Sequence, residues 1–241
     1  MKHACRRPRG VRAKVCALLL VLLAAASFST SARAAPFELE ATEGELGVVV
    51  YPSASLGPSP VTVLLHGMCG APRNTCDHFA AQITEHDHLV CPRASQRCAG
   101  GGASWPQLGF EAQIERAVLR AEAALGERLS TKPGRTLIGY SLGAFRALEV
   151  AQRGAGKYPR VMLLGARIHA DPSKLRDSGV QRLLLGAGAF DMTYEHMQRE
   201  ARWVARRGVS ARFLGLGRVG HALAPSLASY LPEALAWLAS E

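Results

Sequence analysis

The chain has 241 residues, 29 Lys and Arg against 19 Asp and Glu, and a formal net charge of +10. Nearly half of it is apolar and one fifth charged, which excludes a disordered chain, a collagen-like fibre and a disulfide miniprotein. The basic surplus invites a nucleic-acid or membrane-surface partner, so its distribution along the chain decides what it means.

Seven basic residues and no acid lie between Met1 and Ala34. The basic opening leads into an apolar run from Val15 to Ala26, followed by Ser, Thr and Ala and then Ala32-Arg33-Ala34. This is the layout of a secretory signal peptide with an A-x-A cleavage site. The run of 12 residues is shorter than the roughly 18 to 20 that span a bilayer as a helix, which argues against an uncleaved anchor. Residues 1–34 therefore read as an export signal and residues 35–241 as the mature domain, secreted or periplasmic. Cleavage leaves 207 residues with 22 basic and 19 acidic side chains, a charge of +3. That balance removes the support for a nucleic-acid partner, and no later run approaches membrane length.

Four cysteines remain: Cys69, Cys76, Cys91 and Cys98. An even count in an exported chain predicts two disulfides, with three connectivities open. Short loops favour Cys69–Cys76 and Cys91–Cys98, and the chain-entropy model assigns such loops about 2.5 kcal/mol each. The spacings do not match C-x2-C, so a zinc site is the weaker alternative.

After an acidic, flexible start, Gly47–Tyr51 reads as a strand. Val61–His66 is a second, apolar enough for burial on both faces. Pro72–Glu85 suits a helix and His88–Pro92 a short strand. Phe110, Ile114, Val118, Ala121 and Leu125 recur at helical spacing. Arg135–Tyr140 is strand-like and Leu142 to about Arg153 helical. Arg160–Gly165 and Gln181–Gly186 repeat the strand pattern. Met192–Arg207 is helical, Ser210–Leu216 a strand, and Pro225–Ser240 a helix that Pro232 is expected to divide. Strands alternating with helices predict an α/β fold, a mostly parallel central sheet with helices on both faces. The segment from Gly165 to Gln181 leaves room for only a minimal cap.

The sharpest motif is Gly139-Tyr140-Ser141-Leu142-Gly143, a G-x-S-x-G between a strand and a helix. A serine on so tight a turn sits in strained backbone geometry, and glycines two residues either side remove the collisions side chains would make. The turn lifts the Ser141 hydroxyl above the sheet edge. Val61-Thr62-Val63-Leu64-Leu65-His66-Gly67-Met68 adds a strand ending in His-Gly before a loop.

With these two motifs the chain resembles the α/β-hydrolase superfamily, particularly compact esterases of the carboxylesterase and dienelactone-hydrolase type. The resemblance runs from about residue 45 to the end. It implies an oxyanion hole formed by the backbone N–H groups of Met68 and Leu142, and a structural role for His66. It also implies a base and an acid in the order Ser…Asp…His. His221, in the loop after the last strand, matches the family's histidine in order and context. Asp191, after a strand and a small-residue turn, is the favoured acid, with Asp171 as the rival; Asp177 and Glu195 read as surface charges or helix caps. A disulfide at Cys69 would stiffen the loop presenting the Met68 N–H, and Cys69 lies off the elbow, unsuited to act as nucleophile.

Ala99–Trp105 is Gly-rich but lacks the Lys-Ser/Thr ending of a nucleotide loop. It reads as a loop near the site mouth, with Trp105 either lining the pocket or simply packed. Arg202, Arg206 and Arg207 read as a solvated helix end. The expectation is an exported serine hydrolase acting on small-molecule or exposed esters, with no metal or organic cofactor and no stable membrane anchor. Peptidase, thioesterase, acyltransferase or polyester depolymerase chemistry on the same residues, or a binding protein without turnover, are the alternatives.

Overall fold

The computed structural model describes residues 34–43, 45–132 and 134–240. The expected leader, up to Arg33, lies outside the described residues. The elements run β1 (Phe37–Leu39), β2 (Val48–Tyr51), β3 (Val61–Leu65), α1 (Pro72–Ile83), β4 (His88–Pro92), β5 (Gln96–Arg97), β6 (Ala103–Ser104) and α2 (Phe110–Leu125). A single 3-10 turn follows at Gly126–Arg128. The second half runs β7 (Thr136–Tyr140), α3 (Leu142–Arg153), β8 (Arg160–Leu164), α4 (Pro172–Asp177), β9 (Arg182–Ala187), α5 (Tyr194–Ala205), β10 (Ser210–Gly215) and α6 (Leu227–Ala239).

Eight strands form one sheet in the order β1-β2-β4-β3-β7-β8-β9-β10, and β5 and β6 pair as a separate hairpin. The β1–β2 and β2–β4 pairs are antiparallel; every pairing from β4 through β3 to β10 is parallel. The predicted mostly parallel sheet is what forms. Its central strands are buried on both sides because successive side chains alternate between two apolar layers. Val63, Leu137 and Leu185 face a layer with Phe110, Ile114 and Val204 of the helices α2 and α5. Leu64, Ile138 and Leu184 face the opposite layer, with Phe79 of α1 and Leu231 of α6.

Three expectations are corrected. The acidic start is not free chain: Phe37–Leu39 pairs with Val48–Val50 as an edge strand. Pro232 does not divide the last helix, which runs through it from Leu227 to Ala239. Proline removes one backbone hydrogen bond there, and burial of Leu227, Leu231, Ala234 and Leu238 along the same face holds the helix together across it. The disulfides are Cys69–Cys98 and Cys76–Cys91, not the local pairs. Loop length favours short closures, but side-chain direction decides. Cys76 on α1 and Cys91 on β4 meet in one buried layer, whereas Cys98 sits where the β5–β6 hairpin lies against the loop after β3, bridged at Gly70 and Ala103. These longer loops of 29 and 15 residues correspond to about 3 to 4 kcal/mol each in the chain-entropy model.

Candidate active site

β7 lies inside the sheet, and the chain turns sharply from its carboxyl end into α3. Ser141 occupies the turn with φ 54° and ψ −119°, a region non-glycine residues avoid. The strain is held by close packing. A Cβ at Gly143 would stand 2.1 Å from the Leu65 carbonyl oxygen, and one at Gly139 would stand 2.4 Å from the Gly143 carbonyl oxygen. Both are below any tolerated contact, so the glycines are what let α3 sit directly against β3 and β7.

Asp191 follows β9 and His221 follows β10, parallel neighbours whose carboxyl ends open on the same side of the sheet as the elbow. Two backbone hydrogen bonds tie their loops together: Ala189 N–H to the Gly217 carbonyl at 2.8 Å and Phe190 N–H to the Val219 carbonyl at 2.9 Å. That lacing brings the three predicted side chains into one line. His221 Nε2 is 2.9 Å from Ser141 Oγ, and His221 Nδ1 is 2.8 Å from Asp191 Oδ2. Asp191 Oδ1 accepts the Thr193 backbone N–H at 2.8 Å. Burial pushes the Asp191 carboxyl up, but the Thr193 N–H and His221 outweigh it and hold the group below its ordinary range. An ionised Asp191 can only accept, so Nδ1 carries the proton and Nε2 presents its lone pair to the serine.

The rival acid, Asp171, is elsewhere. It caps α4, where its Oδ1 accepts the Ser173 and Lys174 N–H groups at 2.9 and 3.2 Å. Asp177 is exposed, and Glu195 pairs with Arg199 on the surface of α5. His66 is fully buried. Its Nε2 accepts the Ala94 N–H at 3.1 Å, so Nδ1 donates to the Gly67 carbonyl at 2.8 Å. Trp105 is packed rather than lining a pocket: it is 2% exposed, with Nε1–H donating to the His66 carbonyl at 2.8 Å.

The loop after β3 lies against the elbow, where a Cβ on Gly67 would be 3.3 Å from Ser141 Cβ. The Met68 N–H has no acceptor among the described residues. Leu142 is the first residue of α3, where a helical N–H has no intrahelical partner. Cys69, next to Met68, is held at φ 52° and anchored by its disulfide to Cys98.

Two further residues adjoin these side chains, one at a variable position of the elbow motif and one outside it. The Tyr140 ring stacks on His221 at 5.4 Å between centroids and 23° between planes, and nothing in the residue type marks it. Gly165, with φ 61°, sits at the base of the site, where a Cβ would be 3.2 Å from His221 Cε1 and 3.4 Å from Asp191 Oδ2. Its position, ending the apolar Arg160–Gly165 run between the strands that carry serine and acid, was the available signal. Exposed Met68, Phe190 and Met192 adjoin the site residues in the chain and give its surroundings an apolar surface.

No protein-family model matches the chain, and no curated protein matches it. Solved structures do. The fluorophosphonate-binding serine hydrolase FphF of Staphylococcus aureus is 16% identical, over 86% of this chain and 99% of its own, with a TM-score of 0.63. Esterase PE8 is 20% identical over 80% and 99%, with a TM-score of 0.62. Acyl-protein thioesterase 2 of Zea mays is 18% identical over 79% and 97%, with a TM-score of 0.55. The sheet order, the strand–turn–helix elbow and these likenesses define the architecture: the chain has the α/β-hydrolase fold.

Proposed function

We propose that the chain is an exported serine hydrolase that cleaves carboxylic esters. The observation that carries this reading is the unbroken contact from Asp191 Oδ2 through His221 to Ser141 Oγ. A serine hydroxyl is a weak nucleophile until a base takes its proton, and His221 Nε2 is at transfer distance. Ser141 Oγ attacks the ester carbonyl as its proton passes to His221, and the imidazolium returns that proton to the departing alcohol. Water then attacks the acyl-enzyme, again giving its proton to His221, and the acid leaves. Met68 and Leu142 N–H would hold the developing oxyanion, and loss of one such donor typically costs about 10²–10³ in rate. The names of the structural neighbours, an esterase, a serine hydrolase and a thioesterase, support acyl transfer to water as the reaction class.

Export is supported by the acid-free basic and apolar N-terminal sequence with its Ala32-Arg33-Ala34 site and by two disulfides, which persist in oxidising compartments. Among the described residues no helix is long and apolar enough to cross a membrane. The site is open, with the His221 side chain 48% exposed, and its apolar neighbours Met68, Phe190 and Met192 suit small or surface-exposed esters with apolar substituents.

A hydrolysis panel of p-nitrophenyl esters, acyl thioesters and peptide anilides, with Ser141→Ala as control, tests the reading. Ester turnover that disappears in Ser141→Ala, with fluorophosphonate labelling of the parent chain alone, is the expected result. Equal turnover by the variant would overturn it.

A further inference from the structure

On α5, remote from Ser141 in sequence, His196 and Glu200 stand four residues apart and so share one helix face. His169, from the segment joining β8 to α4, completes a cluster with them. Its ring meets that of His196 edge-on at 4.8 Å between centroids, and its Nδ1 is 3.9 Å from Glu200 Oε2. One ligating atom from each of the three lies within 4.8 Å of the others.

Two features separate this cluster from chance crowding. His196 Nε2 donates to the Ile168 carbonyl, so the neutral ring keeps its lone pair at Nδ1. Glu200 Oε1 accepts the Ala170 N–H at 2.7 Å, which leaves Oε2 available. Both helix residues are thus oriented by backbone groups, as outer-shell partners orient ligands at metal centres. Glu200 is also a carboxylate short of a counter-charge. It is 8% exposed, and among the described residues its sole ion-pair partner is His169. Arg199 is engaged by Glu195. A carboxylate withdrawn from water ordinarily has a full cation beside it.

We propose that His169, His196 and Glu200 bind a transition-metal dication of the Zn²⁺ class. Bonds of about 2.1 Å in a tetrahedral site put ligand atoms about 3.4 Å apart. The His169 side chain, 80% exposed and 3.9 Å from Glu200 Oε2 through Nδ1, is free to rotate toward that spacing, and all three ligand atoms already lie within 4.8 Å of one another. Three protein ligands leave the fourth position to water from a surface cavity of about 760 Å³. Two imidazoles favour zinc-like ions over calcium or magnesium. Arg202 and Arg206 line the same cavity and further disfavour an ion held by charge alone. The bound ion would fasten the segment after Gly165, which floors the Ser141–His221 site, to α5.

The test is a zinc titration of the full, oxidised, untagged chain against a chromophoric zinc indicator, with thermal unfolding in parallel. One Zn²⁺ per chain is expected, with a raised melting temperature. His169→Ala should weaken binding at least about tenfold while its metal-free melting temperature stays that of the parent. Glu200→Gln, which can still accept the Ala170 N–H, should weaken it likewise, and Ca²⁺ at equal concentration should not compete. Zinc binding unchanged by both substitutions, the absence of a saturable site, or zinc binding lost in His221→Gln would each overturn the proposal; the last would put the ion at the Ser141–His221 site.

Discussion

Asp191 Oδ2 lies 2.8 Å from His221 Nδ1, and that contact fixes which imidazole nitrogen faces Ser141. Asn at 191 could still accept the Thr193 N–H through its oxygen but would present an NH₂ group to Nδ1. The ring would then take the other tautomer, with Nε2 protonated and unable to accept from the serine. Asp191→Asn should lower kcat for a p-nitrophenyl ester by about 10³- to 10⁴-fold with its melting temperature within a few degrees of the parent. Steady-state kinetics and thermal unfolding together check this; a small loss of kcat would show that Asp191 does not set the tautomer.

Gly143 answers to a different constraint. An added Cβ would fall 2.1 Å from the Leu65 carbonyl oxygen and 2.6 Å from that of His66. Both are backbone atoms of β3 and its exit loop and cannot swing aside. Gly143→Ala should destabilise the chain by about 3 kcal/mol, whereas Gly57→Ala, with nothing within 4 Å of the new atom, should be near neutral. Urea denaturation of the pair measures the difference.

The elbow and the sheet were legible because each rests on local rules. Val61–Leu65 and Thr136–Tyr140 are apolar runs suited to burial on both faces, and G-x-S-x-G has a steric cause confined to five residues. His221 and Asp191 were legible through chain order relative to strands, since a parallel sheet delivers its loops to one end. What failed was non-local. The disulfide pairing depends on which face of the sheet α1 and the β5–β6 hairpin occupy, and no spacing of Cys69, Cys76, Cys91 and Cys98 encodes that. Phe37–Leu39 is a strand only because β2 offers it a free edge. The Tyr140 stack on His221 requires knowing where the His221 loop returns.

The two disulfides should differ in what they control. Cys69–Cys98 anchors the residue that follows Met68, whose N–H is the proposed oxyanion donor. Cys76–Cys91 joins α1 to β4 inside a buried layer. Cys69→Ser with Cys98→Ser should reduce kcat about tenfold or more, beyond its effect on stability. Cys76→Ala with Cys91→Ala should leave kcat near that of the parent and lower stability by about 3 kcal/mol. Kinetics at a temperature where both variants are folded separates the two; equal kcat in the Cys69/Cys98 variant would show that the loop holds its geometry without the bridge.

His66 makes stability depend on pH. Burial lowers its pKa, against the opposing hydrogen bond to Gly67. Protonation would also place an N–H at Nε2 against the Ala94 N–H that it now accepts. The unfolded chain therefore binds a proton that the folded chain refuses. Stability from this residue is complete above the ordinary histidine range and is lost as pH falls through it. His88 acts in the same sense, its pKa lowered chiefly by burial. Asp87 opposes it: burial raises that carboxyl, so its folded form holds a proton longer and gains relative stability as pH falls. With two histidines against one carboxyl, the urea midpoint should drop between pH 7.5 and pH 5.5. His66→Gln, whose side-chain oxygen can accept the Ala94 N–H without titrating, should be less stable at pH 7.5 but show a shallower decline. A decline as steep as the parent's would place the pH dependence outside His66.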